Sequence, residues 1–369
     1  MVLTGGGTGG HVFPLRAIAQ ALLAEGVEPE GLVVVGSRRG REQDLLGDLG
    51  MELVLLPGRG LRRDLSLGAL LANLASAAQL AVALVRGVVL VVRRRPRVVV
   101  SVGGYAAFSA AAGAVVTGRP LVLVDLDATP GLVHRLLRPF AVAITSAFPG
   151  TTEERVVVTG APLRAEILAV ERTPAARAVA RERLGLAERG AVVAVTSGSG
   201  GATSVNRATC ELAVRWRTRE ATMLYQVTGR RDVAEVETRK REEGIGDDRW
   251  RVVAFETSMA DLWAACDVAV SRAGATTVAE LCATGVPSVL APLPGAPGDH
   301  QSANARVLER AGAAVVLDDA ALSGASLDDV LGALLADEGR LAAMSSAARS
   351  LARPDAASRI AQVVLDHAR

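Results

Sequence analysis

Aromatic residues are scarce in this chain: phenylalanine, tryptophan and tyrosine together make up 3% of its 369 residues. Because single-stranded nucleic acids bind by stacking bases on aromatic side chains, this scarcity argues against a nucleic-acid partner. Cysteine is also rare, with three residues in apolar surroundings and no CxxC spacing. We therefore expect free core thiols in a reducing cytosol, without disulfides or a cysteine zinc site.

Two further absences limit the function. Met1, Val2 and Leu3 lead directly into a glycine-rich loop, so we expect no signal peptide, which needs a charged and an apolar region ahead of the folded chain. No Gly-Lys-Ser or Gly-Lys-Thr follows a glycine-rich loop, which excludes a P-loop. What is present, 50% apolar and 22% charged residues with 38 glycines, is typical of an α/β protein long enough for two domains.

The net charge of +2 is unevenly distributed. Residues 1–160 contain 16 arginines and 12 acidic residues, a net charge of +4, whereas the remainder carries −2. The amino-terminal half is therefore the expected site for an anionic partner.

An apolar stretch at residues 67–92 approaches the length of a membrane span. Asn73, Gln79 and Arg86 interrupt it, and a strand with a glycine turn follows at residues 98–104. We expect a helix instead, and two placements stay open. The helix lies buried on a sheet, or it exposes an apolar face rimmed with arginine that docks on an anionic membrane surface.

Each half of the chain opens with a short strand, a glycine-rich loop and a helix: MVLTGGGTGGHV in the first half and AVVAVTSGSGGATSVN in the second. This repetition predicts two Rossmann-like domains facing a cleft. We place the domains at residues 1–160 and 161–353, because glycine and proline mark a hinge there. An amphipathic helix at residues 354–369 is expected to cross back over the first domain.

The first glycine-rich loop leaves one alternative open. Gly5, Gly7 and Gly10 match the GxGxxG pattern of dinucleotide sites, but the next strand, at residues 32–35, is not followed by the carboxylate that would bind a ribose. Arg38 and Arg39 stand there instead and would suit a 2′-phosphate, so an NADP-dependent oxidoreductase remains an alternative.

A helix is predicted between two apolar strands of the second half. It begins near Ala275 and ends at Gly285, because glycine just past the last turn is a stop signal. Thr276, Thr277 and Glu280 are expected to face outward together, where the helix start would bind a diphosphate and the carboxylate a sugar diol. An amphipathic helix with a solvated polar face is the alternative. The predicted buried face consists of Val278, Leu281 and Cys282.

Asp125 and Asp127 follow a strand at residues 121–124, at the carboxyl end where open α/β sheets bind ligands. Their spacing resembles a DxD metal site, but no third ligand is near in sequence. We therefore expect a solvated or hydrogen-bonded pair.

Six motifs, spread over essentially the whole chain, resemble the MurG family of glycosyltransferases: GGGTGGHVFP, SVGGY, VTGAPLR, SGSGGATSVN, SRAGATTVAEL and GDHQSANARVLERAGAA. The resemblance implies the GT-B fold, two Rossmann-like domains with the active site between them. It also implies peptidoglycan synthesis at the cytoplasmic face of the plasma membrane. The implied enzyme moves N-acetylglucosamine (GlcNAc) from UDP-GlcNAc to a muramyl pentapeptide on undecaprenyl pyrophosphate.

The resemblance assigns donor binding to twelve positions: Thr8, Gly9, Gly10, Arg164, Ser199, Phe255, Glu256, Ala275, Thr276, Thr277, Glu280 and Gln301. Glu280 would bind the ribose hydroxyls, Gln301 the sugar, and Ser199 with the helix start the diphosphate. The backbone at residues 255–256 would border the uracil, although a charge at position 256 departs from the apolar residue expected there. The residues assigned to the acceptor are Gly104, Tyr105 and Asp127.

The implied reaction inverts the anomeric carbon: the acceptor's 4-hydroxyl attacks C1 as UDP departs. This step needs a base near the hydroxyl and stabilisation of charge on the diphosphate. His11 is the predicted base, because imidazole has a pKa of about 6.5; packing or a backbone hydrogen bond is its alternative role. No cofactor is expected to be required, and a divalent cation stays open without an evident site.

The chain departs from the family in its acceptor half. Residues 124–127, Val-Asp-Leu-Asp, replace the family's His-Glu-Gln-Asn run, and Ala161 replaces the asparagine of its VTGNP motif. The donor block is nearly intact. Two alternatives therefore stay open, a related transferase acting on another lipid phosphate in specialised metabolism and a noncatalytic sugar-nucleotide binder.

Overall fold

The computed structural model describes residues 1–6, 9–38, 42–57, 67–149, 153–198 and 200–368, with only the backbone of residues 67–75, 77 and 78. The chain divides into two compact units. The first comprises Met1–Arg164 together with Arg353–Arg369, and the second comprises Ala165–Ala352.

Strands and helices alternate along most of the described chain. Its strands are β1 (Val2–Gly5), β2 (Val33–Ser37), β3 (Glu52–Leu56), β4 (Val99–Gly103), β5 (Leu121–Asp125), β6 (Ala143–Ser146), β7 (Val156–Val158), β8 (Ala191–Thr196), β9 (Thr222–Val227), β10 (Trp250–Val253), β11 (Val268–Ser271), β12 (Ser288–Leu290) and β13 (Ala314–Val316). Its α-helices are α1 (Gly9–Ala24), α2 (Glu42–Leu46), α3 (Leu67–Arg94), α4 (Phe108–Thr117), α5 (Leu132–Leu137), α6 (Ala165–Leu168), α7 (Pro174–Arg183), α8 (Thr203–Arg215), α9 (Val233–Glu242), α10 (Met259–Ala265), α11 (Ala275–Thr284), α12 (His300–Arg310), α13 (Gly324–Leu335), α14 (Glu338–Leu351) and α15 (Ala356–Asp366).

Each unit contains one parallel sheet. The strand order is β3-β2-β1-β4-β5-β6-β7 in the first unit and β10-β9-β8-β11-β12-β13 in the second. In each sheet the first strands are added outward from a central strand. The chain then crosses back over that strand, and the later strands are added on its other side. This doubly wound arrangement is the Rossmann type, which confirms the predicted α/β class.

The strands near the centre of each sheet are buried along their whole length. All residues of β4, β5 and β11 are buried, as expected for parallel strands covered by helices on both faces. In the first unit, α15 packs against α1 and buries Ile360 and Val364. The three cysteines are free, with Cys266 and Cys282 buried, which confirms the prediction of free thiols.

The apolar stretch that begins at residue 67 is a helix, α3, as predicted. Its described inner face packs closely on α4, since a methyl group added at Gly87 would lie 2.5 Å from the backbone of Ser109. Four valines on another face remain more than 40% exposed: Val82, Val85, Val89 and Val92. Within the described part of the chain, no helix combines the length and hydropathy that crossing a membrane demands.

Candidate active site

The predicted donor segments follow neighbouring strands of the second sheet. β8 lies beside β11, where the sheet reverses its winding, and ligands bind at such switch points in doubly wound sheets. The glycine-rich loop after β8 contains Ser199, which lies outside the described residues. α11 begins shortly after β11, so the two predicted diphosphate-binding segments start from adjacent strand ends.

The start of α11 has the features of an anion site. The helix spans Ala275–Thr284 and ends at Gly285 with φ at 67°, a left-handed conformation that favours glycine, so both predicted ends are confirmed. Its N-cap, Gly274, has no side chain that could occupy the first amides. Thr276 and Thr277 lie half-buried in the first turn. The helix therefore begins with backbone N–H groups and two hydroxyls, a combination suited to phosphate.

Glu280 does not face outward with the two threonines, and that prediction is wrong. The residue is only 5% exposed, and its Oε2 accepts a 2.9 Å hydrogen bond from Nε1 of Trp263. Trp263 lies on α10 and is fully buried. This neighbouring helix therefore covers a face of α11 that the sequence pattern of α11 alone indicated as exposed. The predicted inner face is confirmed as buried: Val278, Leu281 and Cys282.

The carboxylate of Glu256 forms hydrogen bonds within the second unit. The Glu256 carboxylate accepts hydrogen bonds from the hydroxyl of Tyr225 and, at 2.6 Å, from the backbone N–H of Ser258, where α10 begins. Burial and this bond raise the pKa of the Tyr225 phenol above its ordinary range. Phe255 beside it is 38% exposed. These two hydrogen bonds explain why a charged residue stands at position 256, where an apolar residue was expected.

Gln301 stands in the first turn of α12, after the loop that follows β12. Its Oε1 accepts a 3.0 Å hydrogen bond from the backbone N–H of Leu293 in that loop. The side chain thereby links the loop to the helix, and its role in binding the sugar stays a prediction.

Sequence analysis missed Asn206, which anchors the glycine-rich loop of the second unit from beneath. Its Oδ1 accepts from the Ser197 hydroxyl at 2.7 Å and from Nε2 of Gln226 at 3.1 Å. Its Nδ2 donates to the Thr228 carbonyl and to Asp232, both at 2.9 Å. The residue is 3% exposed and all four hydrogen-bonding positions of its amide are used. One side chain thus ties the end of β8 to β9 and to the start of α9.

The first unit also places two glycine turns at a switch point, where β1 lies beside β4. Gly9, Gly10 and His11 form the first turn of α1, whereas Thr8 lies outside the described residues. The second turn contains Gly104. A methyl group added there would lie 2.8 Å from the carbonyl oxygen of Gly6 and 3.6 Å from Cε1 and Nδ1 of His11. The structure therefore brings the predicted base onto the predicted acceptor turn.

Two other predicted residues of the first unit have defined neighbours. The Tyr105 hydroxyl lies 3.0 Å from Oγ of Ser37, at the end of β2. The guanidinium carbon of Arg164 lies 4.3 Å from the ring centroid of Phe13 in α1. A cation over an aromatic face holds this arginine near the glycine-rich start of α1.

Asp125 and Asp127 differ in burial and in partners. Asp125 is 5% exposed; its Oδ1 lies 2.6 Å from Nδ1 of His134 and its Oδ2 accepts from Nη1 of Arg138 at 3.1 Å. Asp127 lies half-buried in the following loop. In the ranges that the structure describes, no group of three or more His, Cys, Asp or Glu residues is placed to hold a metal ion. Hydrogen bonding, one of the two predicted roles, therefore applies to Asp125.

Two family descriptions match the chain. The Glycosyltransferase family 28 N-terminal domain matches residues 1–146, and the Glycosyltransferase family 28 C-terminal domain matches residues 192–360.

Similar proteins extend over the full length. The UDP-N-acetylglucosamine–N-acetylmuramyl-(pentapeptide) pyrophosphoryl-undecaprenol N-acetylglucosamine transferase of Desulfitobacterium hafniense is 36% identical over 375 residues, covering 100% of this chain and 99% of that protein. The protein of the same name from Alkalilimnicola ehrlichii is 38% identical over 370 residues, with the same coverage. The crystal structure of Acinetobacter baumannii MurG superposes with a TM-score of 0.73 at 25% identity and covers 99% of both chains. The predicted GT-B class is thereby confirmed. The chain belongs to the MurG family of glycosyltransferase family 28.

Proposed function

We propose that this protein transfers GlcNAc from UDP-GlcNAc, with inversion, to the 4-hydroxyl of a muramyl pentapeptide linked to undecaprenyl pyrophosphate. The observation that carries the proposal is the uncapped start of α11 at the switch point of the second sheet. It occurs in a chain that is related over its full length to transferases named for this reaction. The NADP-dependent alternative is set aside, because the family is one of glycosyltransferases.

The donor is proposed to bind through its diphosphate at the start of α11. Backbone N–H groups and the hydroxyls of Thr276 and Thr277 would stabilise the negative charge that grows on the leaving UDP. Glu280, steadied by Trp263, would accept hydrogen bonds from the ribose hydroxyls. Gln301 would contact the sugar.

The acceptor step is proposed to use His11 as the base. The 4-hydroxyl oxygen forms a bond to C1 while the bond from C1 to the UDP oxygen breaks, and UDP leaves with the electron pair. The hydroxyl proton passes to the imidazole of His11. The position of this ring against the Gly103–Gly104 turn supports the assignment, since the same turn is the predicted acceptor segment.

Radiolabelled GlcNAc transfer, combined with calorimetry of UDP-GlcNAc binding, tests this function. We expect transfer to the muramyl-pentapeptide lipid with UDP as the second product. Donor affinity without turnover on any lipid would identify a sugar-nucleotide binder instead. Absence of UDP-GlcNAc binding would contradict the proposal outright.

A transferase acting on another lipid phosphate is the second candidate, and one observation favours it. Residues 124–127, the end of β5 and the start of the following loop, read Val-Asp-Leu-Asp where the family has His-Glu-Gln-Asn, and Asp125 is held by His134 and Arg138. A panel of polyprenyl pyrophosphates with and without the muramyl pentapeptide separates the two candidates. Preference for a lipid that lacks the peptide would favour the second.

No metal is expected to be required, and this expectation is part of the proposal. The helix start and its hydroxyls would supply the charge stabilisation that a divalent cation provides elsewhere. Transfer rates should therefore be equal, within twofold, in EDTA and in magnesium. Loss of turnover in EDTA, restored by magnesium, would contradict this.

We further propose that α3 docks the first unit on the cytoplasmic surface of an anionic membrane. Val82, Val85, Val89 and Val92 form an exposed stripe, and Arg86 lies exposed at its edge. An apolar stripe with arginines at its edge combines shallow insertion with attraction to acidic headgroups. This arrangement supports peripheral contact near the lipid-linked acceptor.

Vesicle sedimentation tests the membrane contact. Replacing both Val85 and Val89 with Asp should reduce binding to vesicles rich in phosphatidylglycerol at least tenfold, because each change puts a charge on the inserting face. Val179→Asp, on an exposed valine of α7 in the second unit, is the matched control and should bind as the parent does. Equal binding by all three proteins would refute the assignment of α3.

A further inference from the structure

A continuous series of hydrogen bonds lies beneath the acceptor turn of the first unit. Oγ of Ser101 lies 2.9 Å from Nε2 of His134, and Nδ1 of the same ring lies 2.6 Å from Oδ1 of Asp125. Arg138 joins Asp125 to Glu153, to which its Nε donates at 2.8 Å. The series therefore runs from the buried strand β4, through α5, to a partly exposed ion pair.

The arrangement has the order of a Ser-His-Asp triad but not the access that nucleophilic catalysis needs. Ser101 is fully buried and sits within β4, paired with β1 on one side and β5 on the other. His134 is 4% exposed. Since no substrate carbon can approach this hydroxyl, the series must act by holding groups in place.

Both ring nitrogens of His134 are engaged, so the orientation of the ring is fixed. The carboxylate of Asp125 can only accept, and Nδ1 therefore donates to it. Nε2 lies within hydrogen-bonding distance of the Ser101 hydroxyl. The two contacts together fix the plane of the ring.

The fixed ring lies against the turn that contacts His11. A methyl group added at Gly103 would lie 3.5 Å from Cε1 and 3.6 Å from Nε2 of His134, and 3.7 Å from Cδ2 of His11. Gly103 and Gly104 have φ values of 93° and 82°, a conformation that glycine adopts without strain but does not enforce. Neighbouring side chains must therefore hold this turn, and the two imidazoles lie against the same glycine.

We propose that His134 is a positioning residue for the acceptor reaction. Held by Asp125 and Ser101, its ring supports the Gly103–Gly104 turn and, through that turn, sets the position of the His11 imidazole. This inference rests on the proposed function, in which His11 takes the proton of the acceptor hydroxyl. The residues proposed to bind the donor diphosphate lie in the second unit and are not expected to respond.

A double-mutant cycle on the full-length protein tests the proposal. His134→Phe keeps a ring of similar shape but removes both polar contacts, and it is measured in the parent and in a His11→Ala background. We expect at least a tenfold loss of kcat in the parent, with the Kd for UDP-GlcNAc unchanged within twofold. In the His11→Ala background the further loss should be less than twofold, because the group being positioned is already absent. His367→Phe, a half-buried histidine of the same unit, is the control and should turn over as the parent does.

Each other outcome overturns the inference. A merely structural role predicts the same fold-loss in both backgrounds, or a parallel loss of donor binding. A kcat within twofold of the parent would also refute it. If His134→Phe does not fold, Ser101→Ala removes one of the two contacts and should lower kcat at least threefold, under the same criteria. A parent protein that transfers no GlcNAc would fail the proposed function itself, whereas an active parent with a fully active His134→Phe would fail only the inference.

Discussion

The two units hold similar glycine turns in place with different side chains. Each has a glycine turn at the switch point of a parallel sheet, and a glycine turn has no side chains with which to fix itself. The second unit holds its turn with the amide of Asn206, which bonds to the Ser197 hydroxyl, the amide of Gln226 and the carboxylate of Asp232 at 2.7–3.1 Å. The first unit uses the imidazole of His134, which lies between the Ser101 hydroxyl and the carboxylate of Asp125.

The two supports lie under turns that are proposed to serve different substrates. The Asn206 network lies under the glycine-rich loop after β8, which is proposed to bind the donor diphosphate. His134 lies against the Gly103–Gly104 turn, which is proposed to face the acceptor and His11, where the hydroxyl proton is transferred. Breaking each support separately should therefore affect different steps of the same reaction.

The largest expected effect is on turnover in the first unit. His11→Ala should lower kcat about 100-fold or more, as removal of a general base does, while the Kd for UDP-GlcNAc stays within twofold. Radiolabelled transfer and calorimetry measure the two quantities. Undiminished turnover would leave the ring with a packing role only.

The matching change in the second unit is Asn206→Ala. It removes the bonds of the amide to its partners, among them Gln226 and Asp232, at a cost of about 1 to 3 kcal/mol for each buried polar group that stays unsatisfied. We expect a lower free energy of unfolding in denaturant and weaker UDP-GlcNAc binding. Thr209→Ala is the control, because that buried hydroxyl donates to the Val205 carbonyl of its own helix, α8. Equal donor affinity in the two variants would contradict an anchoring role for Asn206.

Glu280→Ala should weaken UDP-GlcNAc binding by about 1 to 3 kcal/mol, through loss of hydrogen bonds to a charged group. Trp263→Phe separates this contribution from packing, since it removes the 2.9 Å donor to Glu280 but keeps the carboxylate. The tryptophan variant should bind the donor more tightly than the alanine variant. Tighter donor binding by Glu280→Ala than by Trp263→Phe in calorimetry would mean that Glu280 contributes to folding alone.

The smallest expected effect is on the free energy of unfolding at alkaline pH, and it arises in the second unit. All three cysteines lie in the second unit, where burial raises the pKa of Cys210 to about 11 and that of Cys282 to about 12, from an ordinary value near 9. The unfolded chain loses these protons first, so the free energy of unfolding should fall as pH rises above about 9. Denaturant unfolding from pH 8 to 10.5 measures the slope. Replacing Cys210 with Ser and Cys282 with Ala should flatten it; an unchanged slope would exclude these two thiols as its source.

Much of the architecture was predictable because it depends on local pattern. The bounds of β9 and β11 follow from apolar runs of strand length, and α11 ends at Gly285 because the chain needs a left-handed residue there. The repeated strand and glycine loop indicated two Rossmann-like units. The preference for right-handed crossovers leaves few possible strand orders for a parallel sheet in such a unit.

The positions of the polar partners were decided only by tertiary structure. Glu280 was predicted to face outward with the two threonines, but α10 brings Trp263 over it. Nothing in the sequence around His134 indicated its contacts, which exist because α5 places it against β4 and β5. Periodicity tells which side of a helix is apolar, whereas a buried hydrogen bond depends on two elements meeting at about 3 Å. The amino-acid sequence by itself determined the two glycine turns and their strands. Which side chains hold those turns depended on how distant segments packed, since a turn without side chains takes its support from its neighbours.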